Sequence, residues 1–149
     1  MRRPSVPSDL DHLESDSPEP RRRLFAKTWT PGPFDYERLD AHQVARDALA
    51  SGMAVVKRLP EDQVELKSQL RRALVEGFAG VAATASLTGD ARRVRAQTTR
   101  AFASEAAALL DALVILDFVK RDDISPAVDL LGRLCAMLSR LGAHASRAL

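Results

Sequence analysis

The sequence predicts an all-α protein: an antiparallel, up-down-up-down four-helix bundle with a disordered N-terminal tail. Three observations carry that expectation. Hydrophobic residues make up 46% of the chain but aromatics only 5%, so the apolar content is dominated by Ala and Leu, which favour helix over sheet. From Phe34 onward, apolar residues recur at spacings of three and four, the period of an amphipathic helix. Six of the eight prolines lie in residues 1–33, which leaves the periodic region almost free of helix breakers.

Residues 1–33 form the expected tail. They carry Ser5, Ser8, Ser15 and Ser17, an acidic stretch from Asp9 to Glu19 and the basic run Arg21, Arg22 and Arg23. Such a segment buries too little apolar surface to offset the entropy of ordering it. Leu24, Phe25 and Trp29 follow the arginines, and apolar anchors beside a basic run form a candidate docking motif for another protein. The alternative is that they pack loosely on the chain's own bundle.

Residues 34–149 are the expected bundle. Helix 1 is predicted over about 35–59, with Ala45, Leu49, Gly52, Val56 and Leu59 on one face and Pro60 as its stop. Helix 2 is predicted over about 62–86, with a seam of Leu66, Leu70, Ala73, Leu74, Gly77, Val81 and Ala85, broken by Thr88 and Gly89. Helix 3 is predicted over about 90–121. Helix 4 opens with Ser125 as its cap and Pro126 at its first position. It continues through Val128, Leu131, Leu134, Cys135, Leu138 and Leu141 and ends near Gly142. Short breaks place successive helices side by side and antiparallel.

Helix 3 carries more apolar residues than one core requires. Phe102, Ala106, Leu109, Leu113 and Leu116 make one stripe, and Ala103, Ala107, Leu110, Val114 and Phe118 make a second. Read as opposed stripes, they leave the second without a partner, and a copy of the same chain is the economical one. The expectation is a homo-oligomer sealed by the second stripe; the alternative is that the tail covers it. Glu105 falls within the first stripe. A buried carboxylate needs a partner, and Arg71 and Arg72 are the expected ones, in an ion pair rather than a catalytic pair.

Three segments resemble a known family: Gln69-Leu70-Arg71-Arg72-Ala73; Glu105 with Leu109-Leu110-Asp111; and Ala136-Met137-Leu138-Ser139-Arg140-Leu141. Together, over about residues 34–143, they are similar to the bacterial four-helix-bundle proteins first noticed in intervening sequences of large-subunit ribosomal RNA genes. That family also includes accessory proteins of diversity-generating retroelements. The chain departs from the pattern where relatives carry a Ser and then an Asn-Ile-Ala-Glu-Gly turn. Glu76 and Gly80-Val81-Ala82-Ala83-Thr84 stand there, so the roles of the polar residues do not carry over. The resemblance implies a four-helix bundle assembled into a ring, typically a pentamer, acting as a non-enzymatic scaffold or accessory protein. In the retroelement branch the ring binds a reverse transcriptase and nucleic acid through basic surface.

The remaining chemistry narrows the function classes. A formal charge of +2 is well short of a dedicated nucleic-acid binder. Even so, Arg71, Arg72, Arg92, Arg93, Arg95 and Arg100 are candidate phosphate contacts that a ring would repeat around its axis. Against this, aromatic stacking platforms are missing from the patch, and a solvated basic face is the plainer reading. His12, His42 and His144 lie far apart, so no metal site is expected. Cys135, the single cysteine, is expected to be inert core, and one thiol fits a reducing cytoplasm. Gly77 and Gly80 sit inside helix 2 and fit close helix approach better than a phosphate loop. No enzyme, cofactor, membrane span or secretory signal is expected. Two functions stay open: a homo-oligomeric scaffold binding another protein, or a nucleic-acid-binding accessory factor. Salt separates them, because only phosphate contacts weaken steeply as salt rises.

Overall fold

Three interruptions set the helix boundaries: Pro60, Gly89 in the left-handed region (φ 58°), and Asp117, also left-handed (φ 65°). In the computed structural model, which describes residues 32–145, they separate α1 (Asp40–Arg58), α2 (Val64–Ala85), α3 (Gly89–Ile115) and α4 (Arg121–Ala145). A 3-10 turn, η1 (Asp35–Arg38), precedes α1. Residues 1–31 of the expected tail, with its docking motif Arg21, Arg22, Arg23, Leu24, Phe25 and Trp29, lie outside the described residues.

Each helix packs against its neighbours in sequence, and α4 closes on α1, giving the up-down-up-down bundle. One core runs through it, built on Val44, Val56, Leu70, Val81, Leu110, Leu113, Ile124, Leu134 and Leu138. Two threonines are buried with them. Their hydroxyls donate to backbone carbonyls within their own helices, Thr84 to Gly80 and Thr99 to Arg95, each at 2.8 Å. That satisfies groups that would otherwise be costly to bury. No helix among the described residues is long and apolar enough to cross a membrane.

The boundaries differ from expectation in three places, each with a local cause. Helix 1 does not start at Asp35. The Glu37 carboxylate accepts the Phe34 N–H at 3.0 Å, closing a tight turn, and Leu39 is extended (φ −72°, ψ 136°) before α1 begins. Helix 3 stops at Ile115 rather than near Arg121. Phe118 N–H bonds to the Leu113 carbonyl and Asp117 N–H to that of Val114, the paired closure of a helix end around a left-handed residue.

Helix 4 begins at Arg121, ahead of the expected Ser125–Pro126 start. Asp123 is the reason: its carboxylate accepts the Lys120 N–H at 2.9 Å and so caps the helix. Ser125 instead donates to the Arg121 carbonyl. Pro126 falls in the second turn, where its missing N–H costs only the bond to the Asp122 carbonyl.

Asp123 also receives Arg58 Nη1 at 2.9 Å, joining the end of α1 to the start of α4. The Lys120 N–H and then the Arg58 guanidinium hold its carboxyl below the ordinary value of 3.8. A depressed folded-state value means the ionised form stabilises the fold above that ordinary value. The contribution is lost as pH falls through the lower, folded-state value. Asp123→Asn is therefore expected to melt below the wild type at pH 7, with the gap shrinking as the pH drops beneath the carboxylate range. A gap that does not shrink even once the pH lies below the folded-state value would show that the carboxylate charge is not what matters.

The core face of α3 is neither of the expected stripes. Ala96, Thr99, Ala103, Ala106, Leu110 and Leu113 are its buried residues, drawn from both. At 100° per residue the two stripes are only about 120° apart, so the bundle buries the line between them. Ala103 and Leu110, expected at a partner interface, are fully buried in the chain's own core, and Ala107, Val114 and Phe118 pack partly buried against it.

Glu105 is likewise corrected. It is exposed on the far side of α3 and forms no ion pair with Arg71 or Arg72, which are themselves exposed on α2. The residue points away from the core because it sits on the outward register of the helix.

Candidate functional site

The six arginines proposed as phosphate contacts do not make one patch. Gly77 of α2 faces Ala103 of α3, and Gly80 faces Thr99. Counting along the antiparallel pair from those contacts sets Arg71 and Arg72 level with residues 108–109. That is roughly 12 to 25 Å along the axis from the four arginines of α3, at about 1.5 Å per residue.

The α3 arginines themselves diverge. Arg93 and Arg100 line a cleft of about 260 Å³ between α3 and α4, with Gln97, Ser139 and Gly142, and Arg93 pairs with Asp90 at 3.0 Å. Arg95 has its Nε buried without a hydrogen-bond partner. Arg92 turns to a different cleft, at the end of the bundle.

That end holds a group of rings that the sequence reading did not bring together. Phe34 stacks on Tyr36 (centroids 5.5 Å apart, planes at 19°). Tyr36 meets His42 edge-on at 5.1 Å, and His42 meets Phe78 of α2 at 5.3 Å. Burial first, then the nearby Arg46 charge, lower the His42 pKa from its ordinary 6.5, with Glu37 opposing. His42 is therefore a neutral ring at pH 7 and packs as one.

Tyr36 forms a wall common to two clefts. One, of about 360 Å³, is lined by Glu37, His42, Arg46, Phe78, Ala79 and Ala82 as well. The other, of about 300 Å³, lies between η1 and the α2–α3 turn, with Phe34, Asp35, Leu39, Ala82, Ala85, Ser86 and Arg92. The Arg92 Nε is buried without a hydrogen-bond partner, and Arg92 forms no ion pair among the described residues. The missing aromatic platform is thus present beside an arginine, supplied from 56 or more positions away in sequence by η1. Only a tertiary contact could reveal it, because the short Phe34-Asp35-Tyr36 stretch has no helical or strand period of its own.

Cys135 is half-buried against the core, with Sγ 3.6 Å from the Ser104 hydroxyl and 3.8 Å from the Arg100 carbonyl. His144 is exposed near the end of α4, and His12 lies outside the described residues. Among the described residues no three His, Cys, Asp or Glu side chains gather where they could hold a metal ion.

The fold and clefts thus define an antiparallel four-helix bundle with an aromatic cluster at one end. No family model and no curated protein matches the chain.

Proposed function

We propose that the chain is a non-catalytic scaffold that assembles into a homo-oligomeric ring and presents that ring to another protein. The observation that carries this is the outward face of α3. Val94, Thr98, Ala101, Glu105, Ala108, Ala112 and Ile115 alternate at spacings of four and three, the period of a helix–helix seam. All are exposed except Ala112, which is half-buried, and Val94 and Ile115 are 53% and 75% exposed. A helix face of this kind in a lone bundle is ordinarily charged; this one has a single charge, Glu105. Its small residues let a second helix approach closely.

Glu105 also selects the kind of contact. Two α3 helices related by a two-fold axis through the middle of the seam would bring two Glu105 carboxylates together, which is unfavourable. A head-to-tail contact avoids this and closes into a ring where the rotation permits. The complementary surface is the outward face of α2, where Val64 and Val75 are exposed among Ser68, Arg71 and Arg72. One face is apolar with a single anion; the other carries Arg71 and Arg72, with the exposed Glu65 one heptad before Arg72. In this reading Glu105 meets Arg71 or Arg72 of the next copy. The resemblance to ring-forming four-helix-bundle proteins points the same way.

Light scattering on the full chain at tens of micromolar is expected to give a multiple of the 16.3 kDa chain mass. Glu105→Arg is expected to weaken assembly by about tenfold or more without loss of helicity. Adding Arg71→Glu and Arg72→Glu to that variant is expected to restore it. A monomeric wild type would overturn assembly altogether, and a charge swap without rescue would overturn the pairing of α3 with α2.

A further inference from the structure

Beyond assembly, we propose that the cleft between η1 and the α2–α3 turn binds one nucleotide unit of a single-stranded nucleic acid, with its base on Phe34 and its phosphate on Arg92. The ring group is the first ground. Phe34 stacks on Tyr36 at 5.5 Å, is 60% exposed and lines the cleft, so this two-ring series ends at the cleft in an accessible ring. An unstacked base continues such a series, and base–aromatic stacking tolerates any sequence because every base has a π-face. A base inside a duplex is already stacked on both sides and cannot.

Arg92 is the second ground. Its Nε is buried without a hydrogen-bond partner, and a buried donor left unmade is costly. A phosphate oxygen fits that donor and the guanidinium charge together. Arg92 is the one arginine that lines this cleft, so the proposal rests on a single phosphate contact.

The remaining walls fit the same ligand. The volume of about 300 Å³ is at the lower bound for small-ligand clefts. Ala82, Ala85 and Leu39 give an apolar surface for the edge of a flat ring. Asp35, exposed at the rim, repels phosphate but accepts a hydrogen bond from an exocyclic amino group. The acid therefore belongs at the base end and the arginine at the phosphate end, and bases that carry an amino group are favoured over those that do not.

The test is fluorescence anisotropy of a labelled single strand of about ten nucleotides with the full chain, in salt of about 50 to 200 mM. Phe34→Ala is expected to weaken binding about 5- to 150-fold, and Phe34→Trp to retain it. Because Phe34 is exposed, circular dichroism of both variants is expected to match the wild type. Arg92→Gln is expected to weaken binding and lower the salt slope by about one. Arg133→Ala, on the exposed side of α4, is expected to change little. A duplex of equal length is expected to bind more weakly than the strand. The proposal is overturned by no binding at tens of micromolar, by duplex binding as tight as the strand, or by a Phe34→Ala variant that binds like the wild type. The assembly-weakened Glu105→Arg variant is expected to keep the site and lose only the avidity of the ring, so failure of this proposal is separable from failure of assembly.

Discussion

Leu110→Ala is expected to lower the free energy of unfolding by about 3 kcal/mol, within the range of about 2 to 5 kcal/mol for emptying a buried leucine site. Leu110 is fully buried and belongs to the central core cluster. The truncation removes apolar contact and leaves a cavity that rigid helices fill only in part. For a domain of this size, where net stability is about 5 to 15 kcal/mol, that is a large fraction of the total. The measurement is urea denaturation followed by helicity, at a concentration where the wild-type mass is known. A variant that loses particle mass but keeps its unfolding midpoint would return Leu110 to a subunit interface, and with it the stripe of Ala103, Ala107, Val114 and Phe118.

Gly80→Ala is expected to cost up to about 2 kcal/mol, although alanine is the better helix former by about 1 kcal/mol. A Cβ at Gly80 would collide with the Thr99 hydroxyl and lie 2.6 Å from its Cγ2. Thr99 has little freedom to yield: it is 1% exposed, branched at Cβ, and its hydroxyl is bonded to the Arg95 carbonyl. The helices must separate, and overpacking of that kind costs about 1 to 3 kcal/mol.

Gly77→Ala is the contrast, one turn away in the same helix. Its Cβ would meet Ala103 atoms at 3.7 to 3.9 Å, ordinary contact, so the helix-propensity gain of about 0.5 to 1 kcal/mol is expected to survive. Thermal melts of the two variants, and of Gly80→Ala combined with Thr99→Ala, decide the matter. If the double variant is no more stable than Gly80→Ala alone, the Thr99 contact is not the cause.

The number of helices, their antiparallel order and most of the core were legible from the chain. Leu70, Val81, Leu131, Leu134 and Leu138 lie on the predicted faces of α2 and α4 and are buried, because a period of three and four admits one solution when a helix has one apolar face. Helix 3 is where this reasoning misassigned residues. An apolar residue on every side makes the period ambiguous, and the direction of the core is then set by where α2 and α4 sit. Those neighbours bury Ala103 and Leu110 and leave Ala101 and Ala108 outside, although nothing in the identity of an alanine marks which ones face inward.

Charged residues and turns were harder for the same reason. Glu105 looked buried because nearby apolar residues were counted as one face, whereas a shift of one position turns a side chain by about 100°. The start of α4 depended on Asp123 reaching back to Lys120, a choice between two plausible caps that the Arg58 contact from α1 helps to settle. The ring group at η1 had no signature at all. Phe34, Tyr36, His42 and Phe78 follow no common period, so only tertiary packing groups them and sets Phe34 and Tyr36 in one cleft with Arg92. Periodicity along the chain determined which segments are helices and that they form a bundle. The tertiary structure decided which face each helix turns inward and which side chains share a cleft, because those depend on contacts between segments that local spacing does not encode.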